Sequence, residues 1–446
     1  MPTQASFPAR KVWVAAVVST LIGAIVVAVA IAWPRVTGTD VFIYWPPLKA
    51  RWTPGFTPTL LLPVLVALTG FLVWRRMISA LRWGPFLVAV FAASWLWTAA
   101  LGHVRGAESI SKVFARPSEY FVGAKEVPSI SGFLTGFIER VPLDAKGHWP
   151  IHIAGHPPGA TLFFIVLDRL GISDPYTAGI IVLTIGSTAV VAVLLTVRTL
   201  SSETYARRVA PWIVATPSAI WMGVSADAMF TATAAWGLAL LALAATATRR
   251  TRLIGCGIPA GLLLGLCVYF SYGLVLLGVL AIAVIWLGGR WEALWWALGG
   301  ALLVAAAFTL AGFRWWEGFP VLVTRYYDGI QSKRQYGYWV WANIGAWTFT
   351  IGLAVWAAIP RGIAEAWRRG ERNRRAVAVL GSAGLSTILL ATLSSMSKAE
   401  VERIWLPFTI WVLLLPSLLP LRWHRPLLAT QLASAIAIEY FLTTQW

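Results

Sequence analysis

The chain has 446 residues, 58% of them hydrophobic and 12% charged, with a formal net charge of +18. Soluble domains carry about 25% charged residues, so this composition excludes a soluble enzyme and describes an integral membrane protein. The positive balance does not argue for nucleic acid; in a polytopic chain it is the arginine excess of cytoplasmic connections.

In chain order, MPTQASFPARK leads into a long apolar run with no A-x-A-like cleavage site, so the N-terminus reads as an uncleaved first span. Spans are expected at about 12–33, 57–74, 86–102, 176–197, 209–223, 229–248, 253–270, 272–289, 293–313, 339–359, 377–394, 405–420 and 427–444. That is an all-α polytopic protein of about 13 transmembrane helices, with residues 1–80 as an N-terminal helix pair and 81–446 as the core. Cys256 and Cys267 share one apolar segment, which offers neither a disulfide framework nor a zinc site. The 27 tryptophans fit interfacial belts.

With the N-terminus inside, the short connections on the cytoplasmic face together with Arg10 and Lys11 hold 20 of the 36 Lys and Arg, six of them in RGIAEAWRRGERNRR at 361–375. The other face receives 13 of the 18 acidic residues and every long loop, the largest at 103–175. This alternation requires that GHPPGATLFFIVLDRLG, residues 155–171, does not span. Its apolar run has eight residues where a span needs about 20. It is expected to lie in the outer interface, apolar side down, with Pro157 and Pro158 fixing its start.

Residues able to carry chemistry collect on the outer face. Asp40 follows the first span. In the large loop, ARPSEYFVGAKEV places Glu119 before Tyr120, and a carboxylate of raised pKa there would serve as a base toward a bound hydroxyl. His148, His152 and His156 recur every four residues, but Pro150, Pro157 and Pro158 interrupt the helix that would align them, so no metal site is assigned and His156 is read as a hydrogen-bonding residue. Asp227 in WMGVSADAMF either starts the next span as a cap or faces a protein interior. The connection 314–338 interleaves Arg314, Arg325, Lys333 and Arg334 with Tyr326, Tyr327, Tyr336 and Tyr338; cations on this side, against the positive-inside trend, point to an anionic ligand such as phosphate. In SSMSKAEVERIWLPF, Glu402 and Arg403 form a structural ion pair, or Lys398 and Arg403 complete a phosphate clamp.

The order of these features resembles the GT-C superfamily, polytopic glycosyltransferases that use polyprenyl-phosphate sugars. SEY at 118–120, HPPG at 156–159, ATPSAIWMGVSADAMF at 215–230 and ERIWLPF at 402–408 look like its four successive motifs, over roughly 85–410. Ser118 stands where the family usually carries Asp, so the base is either Glu119 alone or Asp40. The HPPG and ERIWLPF stretches are also similar to actinobacterial members that decorate lipoarabinomannan with methylthioxylose. The resemblance implies a GT-C-like fold with juxtamembrane helices in the outer catalytic loop 103–175. It implies a multi-pass enzyme of the plasma (inner) membrane with its site on the periplasmic or extracellular side, a decaprenyl-phosphate sugar donor, and a lipoglycan or polysaccharide acceptor. Membrane lipids are further partners; nucleic acid is not. Glu119, Asp227 and Asp40 would be catalytic; His156, Arg325, Tyr327, Arg334, Lys398, Glu402 and Arg403 would bind substrate. No cofactor is required by this scheme, although a divalent metal serves some members. Two alternatives stay open: a non-catalytic assembly subunit of the same fold, and a secondary transporter, against which stands the lack of repeated halves.

Overall fold

The computed structural model describes residues 9–368 and 370–444; residues 1–8 of the N-terminal segment, Arg369 of the basic connection and residues 445–446 lie outside them. The architecture is all-α apart from one two-stranded ribbon.

The chain opens with α1 (Ala9–Thr37), continues through β1 (Ala50–Trp52), and goes on through α2 (Leu61–Ala80) and α3 (Trp83–Gly102). The large outer loop then folds into short helices: α4 (Glu108–Phe114), α5 (Tyr120–Lys125), α6 (Ile130–Thr135), α7 (Ile151–Ala154) and α8 (Gly159–Arg169). A near-continuous pair, α9 (Pro175–Ser187) and α10 (Ala189–Leu200), crosses next, followed by α11 (Glu203–Val214), α12 (Ala219–Met222) and α13 (Asp227–Ala245). The second half comprises α14 (Arg250–Phe270), α15 (Leu277–Gly288), α16 (Glu292–Leu310), α17 (Trp315–Asp328), α18 (Tyr336–Ile351), α19 (Leu353–Trp367) and α20 (Arg372–Leu393). It ends with α21 (Val401–Ile404), α22 (Leu406–Val412), α23 (Leu421–Phe441) and β2 (Leu442–Thr444).

Seven helices among the described residues are long and apolar enough to cross a membrane, or eight if α18 and α19 count as one bent span. The expected spans at 12–33, 86–102, 176–197, 229–248, 253–270, 293–313 and 377–394 are among these seven, and several of the others are bent or short for physical reasons visible in the chain. The stretch 339–359 breaks at Gly352 (φ 72°), where α18 and α19 meet at 107°. Gln431 packs against that glycine and donates to the Ile351 carbonyl at 2.7 Å, satisfying a group that the break leaves without a helical partner. The stretch 209–223 is divided between α11 and α12 at Thr216-Pro217-Ser218, and those at 57–74, 272–289 and 405–420 form shorter apolar helices.

Small residues set the closest packing. Gly257, Gly261 and Gly265 on α14 recur every four residues against Trp296, Ala297 and Ala301 on α16, Gly300 of α16 lies against Ile258 and Gly261 in return, and a Cβ at Gly261 would collide with the Ala297 backbone. Where lipid offers no hydrophobic drive between helices, such seams allow the backbone approach that dispersion needs.

The connections segregate to two ends. At one end Arg207 donates to the carbonyls of Ile78 and Leu81, Ser201 to Asn373, Arg374 to Leu418 and Arg290 to Ala247. These bonds bring the short basic connections together. The long loops gather at the opposite end.

There, α8 has 11 residues, far too few to span. Its apolar face does not rest on lipid as expected: Phe164, Ile165 and Leu167 are buried, with Phe164 stacked on Tyr120 of α5. Gly159 lets α8 approach the Tyr269 backbone at the end of α14. Pro150 and Pro158 directly precede α7 and α8, positions whose backbone donors a helix start leaves unused. Finally, β1 pairs antiparallel with β2 in the register Ala50↔Thr444 to Trp52↔Leu442, fastening the first outer loop to the end of α23.

Candidate active site

Between these outer elements lies a cavity of about 870 Å³. One side is charged and polar, with Lys49, Arg51, Arg116, His152, His156, Glu400 and Arg403; the other is apolar, with Leu274, Val275, Leu276, Phe319, Leu322, Trp405 and Phe408. The apolar wall comes from the outer ends of membrane helices and from α17.

The charged side is a linked network drawn from distant parts of the chain. Lys49 Nζ donates to Glu400 Oε1 at 2.7 Å, Arg403 Nη2 to Glu400 Oε2 at 2.9 Å, and Arg403 Nη1 to Asp227 Oδ2 at 2.8 Å. Beside it, His152 Nδ1 meets Glu119 Oε1 at 3.0 Å. Lys49 lies in a bend just before β1 and Arg51 within the strand; both line the cavity, while Trp52 turns to stack on Phe441.

The loop before α21 aims Glu400. Ser395, Ala399 and Glu400 have φ of 58°, 66° and 63°, a left-handed conformation unfavourable for side chains with a Cβ. It is held from behind. Asn343, fully buried in α18, donates to Ser397 O at 2.6 Å and accepts from Ala399 N at 3.1 Å. Arg334 donates to Lys398 O (2.9 Å) and Phe42 O (3.2 Å), and Lys398 Nζ to Gln331 O (2.8 Å).

These contacts assign places to the expected residues. Asp227, Arg403 and Glu119 converge, although Asp227 and Glu119 stand behind Arg403 and His152 rather than on the cavity wall. Asp227 is the first residue of α13, and its carboxylate goes to Arg403 instead of capping the helix. His156 lines the cavity, its Nδ1–H donating to His152 O at 2.9 Å. Arg334 and Lys398, expected at a phosphate, are engaged with backbone carbonyls, and Tyr327 lies over Lys398 at 5.1 Å with its hydroxyl 3.2 Å from Ser395. Tyr326, not Tyr327, reaches the cavity; Arg325 does not. Glu402 is buried away from the cavity, and Asp40 is exposed, accepting from Phe42 N at 2.7 Å in a local turn. The three histidines diverge, His148 turning to the Trp149 carbonyl.

Lys49, Arg51, Arg116 and Glu400 were not singled out as ligand groups by sequence, and His152 was weighed only for metal. A usable signal existed for two of them: Lys49 and Arg51 are outer cations, the anomaly that drew attention to 314–338. Asn343 was a polar residue inside an apolar run, and such residues in membrane segments are commonly functional or structural fixtures.

Burial would raise the pKa of Glu119, but His152, Arg403 and Arg116 outweigh it and hold the carboxyl below its ordinary value, opposite to the raised value expected. Glu400 is likewise held low by Lys49 and Arg403 against burial. Burial takes His156 down to about 4, so its imidazole is neutral at physiological pH. Glu402 goes the other way, up to about 7, through burial and the neighbouring Glu400 charge.

No family model and no curated protein matches the chain. Among solved structures, those of ArnT from Cupriavidus metallidurans in the apo state and bound to undecaprenyl phosphate are similar at 15% and 14% identity, each with a TM-score of 0.47. The matches cover 75% of this chain and 59% of those chains, so this chain spans less than two thirds of their length.

Proposed function

We propose that this protein is a membrane glycosyltransferase of the GT-C type, moving a sugar from a decaprenyl-phosphate donor to a lipoglycan or polysaccharide acceptor on the outer face of the plasma membrane. The observation that carries the reading is the two-sided cavity: cations Lys49, Arg51, Arg116 and Arg403 opposite an apolar wall on membrane helices suit a lipid with an anionic head. The motif order of the sequence supports the same class, and its actinobacterial likeness favours methylthioxylose placed on mannose of lipoarabinomannan.

In this reading the prenyl tail lies along Leu274–Leu276, Leu322 and Phe408, and the phosphate faces Lys49, Arg51 and Arg116. The acceptor hydroxyl oxygen bonds to the anomeric carbon as the bond from that carbon to the phosphate oxygen breaks, the electron pair leaving with the lipid phosphate. The hydroxyl proton passes to the Glu119–His152 pair. Fixed cations stabilise the departing charge without reorganising, which is worth more to a phosphate leaving group than protonation. Asp227 keeps Arg403 aimed at the cavity. The paired carboxylates limit the net positive charge, so the site favours a monoanionic phosphodiester over stray polyanions.

The test is a transfer assay on purified protein in nanodiscs, with a panel of decaprenyl-phosphate sugars and a mannoside acceptor. Glu119→Gln is expected to lower turnover by about 10²–10⁴-fold, the usual share of a general base. Asp40→Asn should leave it unchanged. Loss on Asp40→Asn with Glu119→Gln active would move the base to the first outer loop. Donor binding without turnover in the wild type would make the protein the non-catalytic subunit.

A further inference from the structure

A second cavity, of about 480 Å³, lies between α2, α3, α11 and α23. That volume falls within the ~300–1,000 Å³ of small-ligand sites. Its walls are apolar, among them Val66, Gly70, Phe71, Pro211, Leu428 and Leu432. Two wall residues, Leu72 and Leu421, are 69% and 60% exposed, so the cleft opens sideways onto the lipid-facing surface. Four polar features stand out against this lining. Arg208 and Arg425 both reach it, His424 reaches it with its Nε2 3.0 Å from the Leu419 carbonyl, and the indole N–H of Trp74 is buried beside it with no hydrogen-bond partner among the described residues.

The arginines differ from their neighbours. Arg207, one residue away, donates to Ile78 O, Leu81 O and Glu203. Arg208 instead lies over the Tyr205 ring at 5.2 Å and Arg425 over the Phe71 ring at 5.0 Å, and among the described residues neither donates a hydrogen bond or meets a carboxylate. Both sit at the end where the short basic connections gather, and the cleft shares no lining residue with the outer cavity. An apolar cleft open to the bilayer is filled by an acyl chain, because water is not available at that depth and an empty lining forfeits its dispersion contacts. Two guanidinium groups at its mouth, with no counter-charge of their own, select the head group that comes with the chain. Basic pockets between membrane helices on the cytoplasmic side hold anionic heads in this way.

We propose that this cleft is a binding site for one anionic glycerophospholipid of the leaflet on the basic side, its phosphate between Arg208 and Arg425 and an acyl chain between α2 and α23. The site is separate from the outer cavity and does not depend on the function proposed for it. A lipid there ties α2, which follows the first outer loop, and α3, which leads into the large one, to α11 and α23.

The experiment is native mass spectrometry of the full chain, exchanged from detergent into vesicles of equimolar phosphatidylglycerol and phosphatidylcholine and then released. The wild type is expected to retain phosphatidylglycerol in preference to phosphatidylcholine. Arg208→Gln with Arg425→Gln should cut that preference about ten-fold or more, at about five-fold per interfacial arginine. Arg252→Gln, an exposed arginine at the same end but outside the cleft, should not change it. At Gly70, which lines the cleft, an added Cβ meets nothing within 4 Å, so Gly70→Phe, checked for an unchanged Tm, should reduce retention of both lipids. Equal retention of the two lipids by the wild type, or an unchanged preference in the double arginine variant at unchanged Tm, would overturn the assignment.

Discussion

Both ends of this molecule are rich in arginine, yet they use it differently. At the basic end the partners are close in sequence or are helix-terminal carbonyls: Arg207 with Glu203, Arg361 with Glu365, and Arg374 and Arg290 with the carbonyls of Leu418 and Ala247. At the opposite end the pairs join Lys49 to Glu400 and Arg403 to Asp227, residues 351 and 176 positions apart, around open space. The first pattern finishes helices; the second assembles groups that no single element needs. Charge alone therefore says little about function, whereas long-range pairing beside a cavity says a good deal.

That contrast can be broken or sharpened by substitution. The largest effect is expected from Arg403→Met, which leaves Asp227 and Glu400 facing each other without their shared cation. Removing one partner of a buried pair costs about 3–5 kcal/mol, so thermal unfolding should drop steeply and transfer should vanish. Arg403→Lys keeps one charge but cannot serve two carboxylates in fork geometry, and should recover stability better than turnover.

Next comes Glu402. Its folded pKa of about 7 lies above the ordinary 4.5, so the folded protein binds more protons between those values, and stability falls as pH rises from about 4.5 to 7. Glu402→Gln should abolish that slope and be more stable than the wild type at pH 8, by on the order of 3 kcal/mol. A wild-type Tm that rises over this window would place the proton elsewhere.

At the basic end, Arg207→Gln should cost about 1–3 kcal/mol through the orphaned Ile78 and Leu81 carbonyls while turnover per folded molecule stays constant. Lost turnover at unchanged Tm would mean that this end is not merely structural. The smallest effect is expected for Asp40→Asn, within about 0.5 kcal/mol by thermal unfolding, because an exposed side chain in a local turn loses little.

Much of the broad architecture was legible in the sequence because hydrophobic length and arginine placement are one-dimensional signals. The short run ATLFFIVL could be denied a span by counting alone, but its burial against Tyr120 required knowing that α5 lies above it. The site was legible only in part. Asp227 and Arg403 announced themselves as charges at span ends, whereas Lys49 reaches the cavity through a ribbon whose second strand, Leu442–Thr444, lies at the far end of the chain. Arg334 and Lys398 looked like ligands for an anion because cations on the outer face are unexpected; backbone carbonyls can absorb such cations, and nothing in a motif distinguishes the two uses. The break at Gly352 depended on Gln431, again a partner invisible from local pattern.

The loop over residues 395–400 has one more implication, for engineering. Its shape is imposed on Ala399 and Glu400 by Asn343 and Arg334 rather than chosen by the residues themselves. Ala399→Gly would make that shape intrinsic and lessen the work asked of Asn343, while Asn343→Ala would let the segment swing and carry Glu400 with it. Positions 343 and 399 are thus a pair of set-screws for the cavity's charged rim: one tightens it, the other lets it move, and neither lines the cavity.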